Sequence, residues 1–199
     1  MEEGVIKFHC EWTDSDLGLT VPESLLHWRD RMYKVGLIGV YQELDIGYGN
    51  ISVRQPHGML ISGSQTGHLA ELAPEGYALV TQYDIDKNSL KCQGRVKASS
   101  ESLTHLAFYE ADSQIQAIVH VHHRDLWSSL LHKIPTSSAS VPYGTPAMAY
   151  EIKRLFSETN LPETKLMAMA GHEEGLIAFG ETLEEASAIL LNALEQFES

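Results

Sequence analysis

Residues 117–123 read Ala-Ile-Val-His-Val-His-His. The apolar start predicts a β-strand. Side chains alternate across a strand, so positions two apart share a face. His120 and His122 are therefore expected side by side, with Val119 and Val121 turned to a core on the opposite face. Two imidazoles at this spacing suit a divalent metal ion. The competing reading is a polar edge strand whose histidines meet solvent; an H-x-H inside an apolar strand favours the metal. His123 points away from the pair and is not expected to bind the same ion.

Downstream, Thr145 reads as an N-cap with Pro146 at the first helical position, opening a helix that runs to about Glu158. Met167–Ala170 and Leu176–Phe179 read as paired strands around the turn GHEEG. Thr182 caps a last helix, with Glu185 three residues on as in a capping box. Upstream, Ser99-Ser100-Glu101 opens a helix, and Tyr77–Tyr83 is a strand with its partner inside Ile85–Gly94. GYGNISVR enters a short strand that forms a hairpin with MLIS. Pro22–Gly36 has helical periodicity. Helices and strands mixed in this way predict an α/β fold, a sheet covered by helices.

A chain of 199 residues is expected to form a single domain, 1–199, with 1–20 as an N-terminal extension. The formal net charge of -13 argues against unaided binding to nucleic acid or an anionic membrane. A small anionic substrate remains compatible, because backbone N–H groups and a metal can build a local anion site. Cys10 and Cys92 are the two cysteines and imply no disulfide framework. A cytoplasmic setting is expected. No apolar run reaches about 18 residues, so no membrane span is expected.

Three further features bear on chemistry. His172 sits in a Gly-bracketed turn between two apolar strands, where it can supply a third ligand. Three protein ligands with open positions describe a catalytic site rather than a structural one. Glu173 and Glu174 beside it read as solvated turn charges. Glu101 lies at a helix start, where the dipole favours an anion; its functional reading is a carboxylate near the metal that can take a proton. His105, four residues on, reads either as a group orienting that carboxylate or as exposed polar surface. Finally, GYGN, SGSQTG and the Ser99-Ser100 pair are small-residue loops able to aim N–H and hydroxyl groups at phosphate. No Walker or Rossmann fingerprint is present.

GYGNISVR, GMLISGSQTG, KASSESLTHLAFYEAD, AIVHVHH, VPYGTPAMA and AGHEEGLIAFGETLEEA, in that order, resemble the class II aldolase/adducin head-domain family. The resemblance spans roughly Gly36 to the C-terminus. It implies a three-layer α/β/α domain with a mostly antiparallel central sheet. It implies metal ligands at His120, His122 and His172, and an acid/base at Glu101. Phosphate contacts are implied at Asn50, Ser62, Gly63, Thr66, Gly67, Ser99 and Ser100, and a catalytic Tyr143 that reaches a neighbouring subunit's site. The implied cofactor is Zn2+, or another divalent ion such as Mn2+, Co2+ or Fe2+, and the implied assembly a homotetramer with sites between subunits. The implied activity is aldolase-type carbon–carbon cleavage of a small, phosphorylated sugar or hydroxy-carbonyl compound through an enediolate. Sugar-phosphate 4-epimerases and dehydratases share the scaffold, as does adducin, which lacks enzyme activity. The turn GHEEG departs from the usual His-Gly after the ligand.

Overall fold

The computed structural model describes residues 4–199. Among the described residues ten strands form: β1 (His9–Asp14), β2 (Gly39–Tyr41), β3 (Ile46–Tyr48), β4 (Asn50–Gln55), β5 (Gly58–Ser62), β6 (Tyr77–Asp84), β7 (Ser89–Gly94), β8 (Ala117–His122), β9 (Leu166–Ala168) and β10 (Gly175–Gly180). The helices are α1 (Glu23–Lys34), α2 (Ser102–Ala111), α3 (Arg124–Leu130), α4 (Pro146–Glu158), α5 (Leu161–Thr164) and α6 (Leu183–Glu198). Eight strands make one sheet in the order β1-β7-β6-β5-β4-β8-β10-β9, and β2-β3 form a separate small ribbon. In the large sheet only the β1–β7 pair is parallel. The mostly antiparallel sheet implied by the resemblance is therefore the one observed.

Strand alternation divides the core in two. Ala117, Val119 and Val121 of β8 pack with Leu25 and Met32 of α1, Leu126 of α3 and Leu190 of α6. Ile118 packs on the opposite side with Leu103 and Phe108 of α2 and Met148 and Ile152 of α4. Leu176 and Ala178 of β10 join the first cluster, Ile177 and Phe179 the second. The result is three layers, helices on both faces of the sheet. Each large apolar side chain buried this way contributes about 1.5–3 kcal/mol.

The helix starts read from sequence form locally. The Thr145 hydroxyl accepts from Met148 N–H at 3.4 Å, with Pro146 in the first turn of α4. The Thr182 hydroxyl accepts from Glu185 N–H at 3.1 Å. Glu185 differs from a reciprocal capping box, because its carboxylate accepts from Glu181 N–H at 2.8 Å and pairs with Lys165.

The expected N-terminal extension contains an edge strand. β1 lies parallel to β7, and Trp12 donates its indole N–H to Gly94 O at 3.0 Å. Just before it, Asn88 donates to Lys7 O at 2.8 Å, and Phe8 is buried. No alternating apolar pattern announces this strand, since at the sheet edge most of its side chains remain exposed.

Candidate metal centre

β8 is flanked by β4 and β10, and the register sets what meets its histidines. Asn50 lies opposite His120, and Gly175 opposite His122. Gly175 is required by crowding. A Cβ there would sit 2.7 Å from the His172 ring, closer than real side chains approach, and a tight 3.2 Å from His120 Nε2. The turn carrying His172 is closed by its own backbone, with His172 N–H donating to Met169 O and Gly175 N–H to His172 O. Trp127 pins it from α3 by donating to Met169 O at 3.1 Å. His172 is thereby folded over the end of β8.

The three rings converge. His122 Nε2 lies 3.0 Å from His172 Nε2, and one ligand atom from each of His120, His122 and His172 falls within 4.8 Å of the others. All three side chains are buried. Burial lowers the His120 pKa to about 3. It also holds His122 and His172 well below the usual histidine range, with mutual repulsion among the rings adding to the effect. Neutral rings keep the lone pairs that coordinate a metal. Glu101 is buried at the start of α2, with Oε1 3.7 Å from His172 Nε2.

The donor set fits a divalent ion. His120 Nε2 is buried and has no hydrogen-bond partner among the described residues, a costly arrangement unless something else satisfies it. His120 Nδ1 lies 3.2 Å from the Asn50 amide, whose oxygen is also buried without a partner. The amide's two ends exchange by a half-turn. With its oxygen toward His120, Nδ1–H has an acceptor and Nε2 offers its lone pair to the other rings. Three histidine nitrogens and a nearby carboxylate are a donor set for zinc or a similar ion.

The Tyr143 ring packs against His172 of its own chain, centroids 4.3 Å apart and planes tilted by 51°. It is placed by Gly144, whose φ of +65° and closeness to Ser100 O leave no space for a side chain. The Lys7 ammonium lies 3.8 Å from the centre of the Tyr143 ring.

Beside the histidines a small polar cavity is lined by Gly47, Gly49, Asn50, Gly63–Gly67, Ser99 and Ser100, with Gly4 at its edge. Of the residues expected to meet phosphate, Asn50, Gly63, Thr66, Gly67, Ser99 and Ser100 are there. Ser62 is not: its hydroxyl accepts from Ile51 N–H at 3.1 Å inside the sheet, because the strand's pleat turns it inward. Sequence reading missed what holds this wall. Arg29, buried in α1, donates to the backbone oxygens of Thr66, at 2.8 Å, and Leu69. Its contacts lie about forty residues away in sequence, so no local pattern reveals them.

Other expectations change as well. His105 is not exposed; it is fully buried, its Nδ1 2.7 Å from Ser52 Oγ, which also meets Tyr109 Oη at 2.8 Å. Burial holds its pKa well below the ordinary value, aided by His120. Glu173 is exposed and pairs with Arg124 at 3.0 Å. Glu174 is no solvated turn charge: it is buried and accepts from Tyr41 Oη–H at 2.7 Å. His123 caps α3 by accepting from Leu126 N–H at 3.2 Å, away from the other histidines.

The sequence matches the model of the Class II Aldolase and Adducin N-terminal domain over residues 40–197. Among solved structures it is similar to L-fuculose-1-phosphate aldolase from Thermus thermophilus, at TM-score 0.64 and 21% identity, covering 88% of this chain and 89% of that one. YgbL from Escherichia coli gives TM-score 0.65 and 21% identity, with 88% and 86% covered. A sugar-phosphate aldolase from Thermotoga maritima gives 0.60 and 17%, with 86% and 92% covered. No curated protein matches the chain in sequence. With the family match spanning most of its length, the chain belongs to the class II aldolase and adducin N-terminal domain family.

Proposed function

We propose that this protein is a metal-dependent aldolase-type lyase that cleaves a carbon–carbon bond in a small phosphorylated sugar or related hydroxy-carbonyl compound. The observation that carries the reading is the buried Glu101 carboxylate 3.7 Å from His172, beside a cluster of three buried histidines. A divalent ion, zinc first among those that suit three nitrogens, supplies Lewis-acid polarisation of substrate oxygens when bound there. The cavity of Asn50, Gly63, Thr66, Gly67, Ser99 and Ser100 holds the phosphate through hydroxyl and backbone N–H groups. Glu101 moves the proton at the carbon that becomes nucleophilic when the bond breaks. Tyr143, next to His172, handles the proton at the aldehyde oxygen. The intact histidines and Glu101 favour this over an adducin-like interaction module.

The test is turnover of a panel of ketose phosphates, with product analysis and metal content measured together. Glu101→Gln is expected to lower kcat by about 10²–10⁴-fold with its metal retained. Undiminished turnover by that variant overturns the role of Glu101. An epimer or a dehydration product in place of an aldehyde moves the assignment to those reactions. Absence of both metal and turnover makes the chain a binding module.

A further inference from the structure

We infer that Tyr41 and Glu174 form a relay that fixes the tautomer of His122, which makes both of them positioning residues for a metal ion. The inference rests on the metal centre proposed above. A tyrosine hydroxyl has one proton, and an ionised carboxylate only accepts. Tyr41 Oη donates to Glu174 Oε2 at 2.7 Å. The Tyr41 oxygen also lies 2.9 Å from His122 Nδ1, and with its proton committed it accepts there. His122 Nδ1 must therefore carry the N–H. A neutral imidazole has one such proton, so Nε2 carries the lone pair, and Nε2 is the atom that faces His172 at 3.0 Å. A carboxylate acting through a hydrogen-bond chain also makes the ring a more basic ligand.

Several features hold the relay in place. Arg124 binds the other oxygen of Glu174 at 2.7 Å, fixing the carboxylate from the solvent side. Tyr48 stacks on His122, with ring centroids 5.6 Å apart and planes 28° from parallel. Glu174 itself has a φ of +72°, a left-handed conformation that is unfavourable outside glycine. The turn that departs from the family's usual His-Gly is thus the one that delivers this carboxylate to the site. Tyr41, on the small ribbon, is 133 residues from Glu174 in sequence, and the fold brings them together.

The test is the Zn2+ dissociation constant of the whole chain by chelator competition, with the visible spectrum of the Co2+-loaded protein as a readout of ligand geometry. Tyr41→Phe keeps the ring and removes the relay. It is expected to weaken Zn2+ binding about 10–100-fold and to shift the Co2+ bands. Glu174→Gln is expected to act in the same direction, and the double variant to be little worse than Tyr41→Phe, because the two act as one chain. Glu173→Gln, altering the exposed neighbour, is expected to bind as the parent does. Circular dichroism and Tm separate these effects from misfolding; if Glu174→Gln fails to fold, Tyr41→Phe decides alone. Tyr41→Phe binding Zn2+ as tightly as the parent, with the same Co2+ spectrum, overturns the relay and leaves the metal centre standing. A parent chain that binds neither ion overturns the metal centre and the relay with it.

Discussion

Strand β8 has two faces with different physical characters. On one, Val119 and Val121 are fully buried among aliphatic side chains of α1, α3 and α6. On the other, Ile118 is followed by His120 and His122, buried just as deeply. The first face gains free energy from every Å² it removes from water. The second buries imidazole nitrogens at a cost that hydrogen bonds or a ligand must offset. The same alternation serves stability on one side and chemistry on the other.

That comparison can be broken by exchanging the expected effects. Removing a ring from the polar face should have the largest effect on metal. His120→Ala is expected to abolish stoichiometric Zn2+ binding, measured by elemental analysis after dialysis, while costing less stability than a core truncation. Retained metal would mean that the three histidines do not form a centre. Leu176→Ala, across from Val121 on the apolar face, should do the reverse. It is expected to cost about 2–5 kcal/mol in urea unfolding and to leave the Zn2+ affinity near that of the parent. If both variants lose metal and stability together, the faces are not separable.

A third effect is a pH dependence that belongs to the polar face. His105, His120, His122 and His172 all have folded pKa values below their ordinary value of 6.5, chiefly through burial. The unfolded chain therefore binds protons that the folded one refuses. Their contribution is whole above the unfolded pKa and is lost as pH falls toward the folded values, about 3 for His120. Each contributes a slope of at most about 1.4 kcal/mol per pH unit in that window. Chelator-treated protein should lose urea stability between about pH 7 and about pH 5. That window lies above the range where Asp84, Glu151 and Glu185, whose pKa values are lowered by their paired cations, begin to lose theirs. A flat profile would show that the imidazoles are not desolvated in solution.

Most of the fold was legible because its elements are marked locally. Thr145-Pro146 and Thr182 announce helix starts, and the apolar run before His120 announces a buried strand. β1 was not legible, since a solvated edge strand has no reason to alternate. Within the site, the H-x-H spacing exposed His120 and His122, and family order pointed to His172 and Glu101. Ser62 was misplaced because a small polar residue at a strand end serves the sheet as readily as an anion. Glu174 looked like any acidic turn residue, and only its partner Tyr41, far away in sequence, gives it a role.

By itself, then, the sequence determined periodicity: which side chains share a face, where helices begin, and that two histidines would stand together. These follow from dihedral angles and neighbours a few residues apart. The tertiary structure alone decided who faces whom across the sheet. It placed His172 over β8, pinned the loop of Thr66 and Leu69 with Arg29 and linked Tyr41 to Glu174. Such contacts depend on chain segments meeting after long loops have closed, and local chemistry carries no record of that meeting.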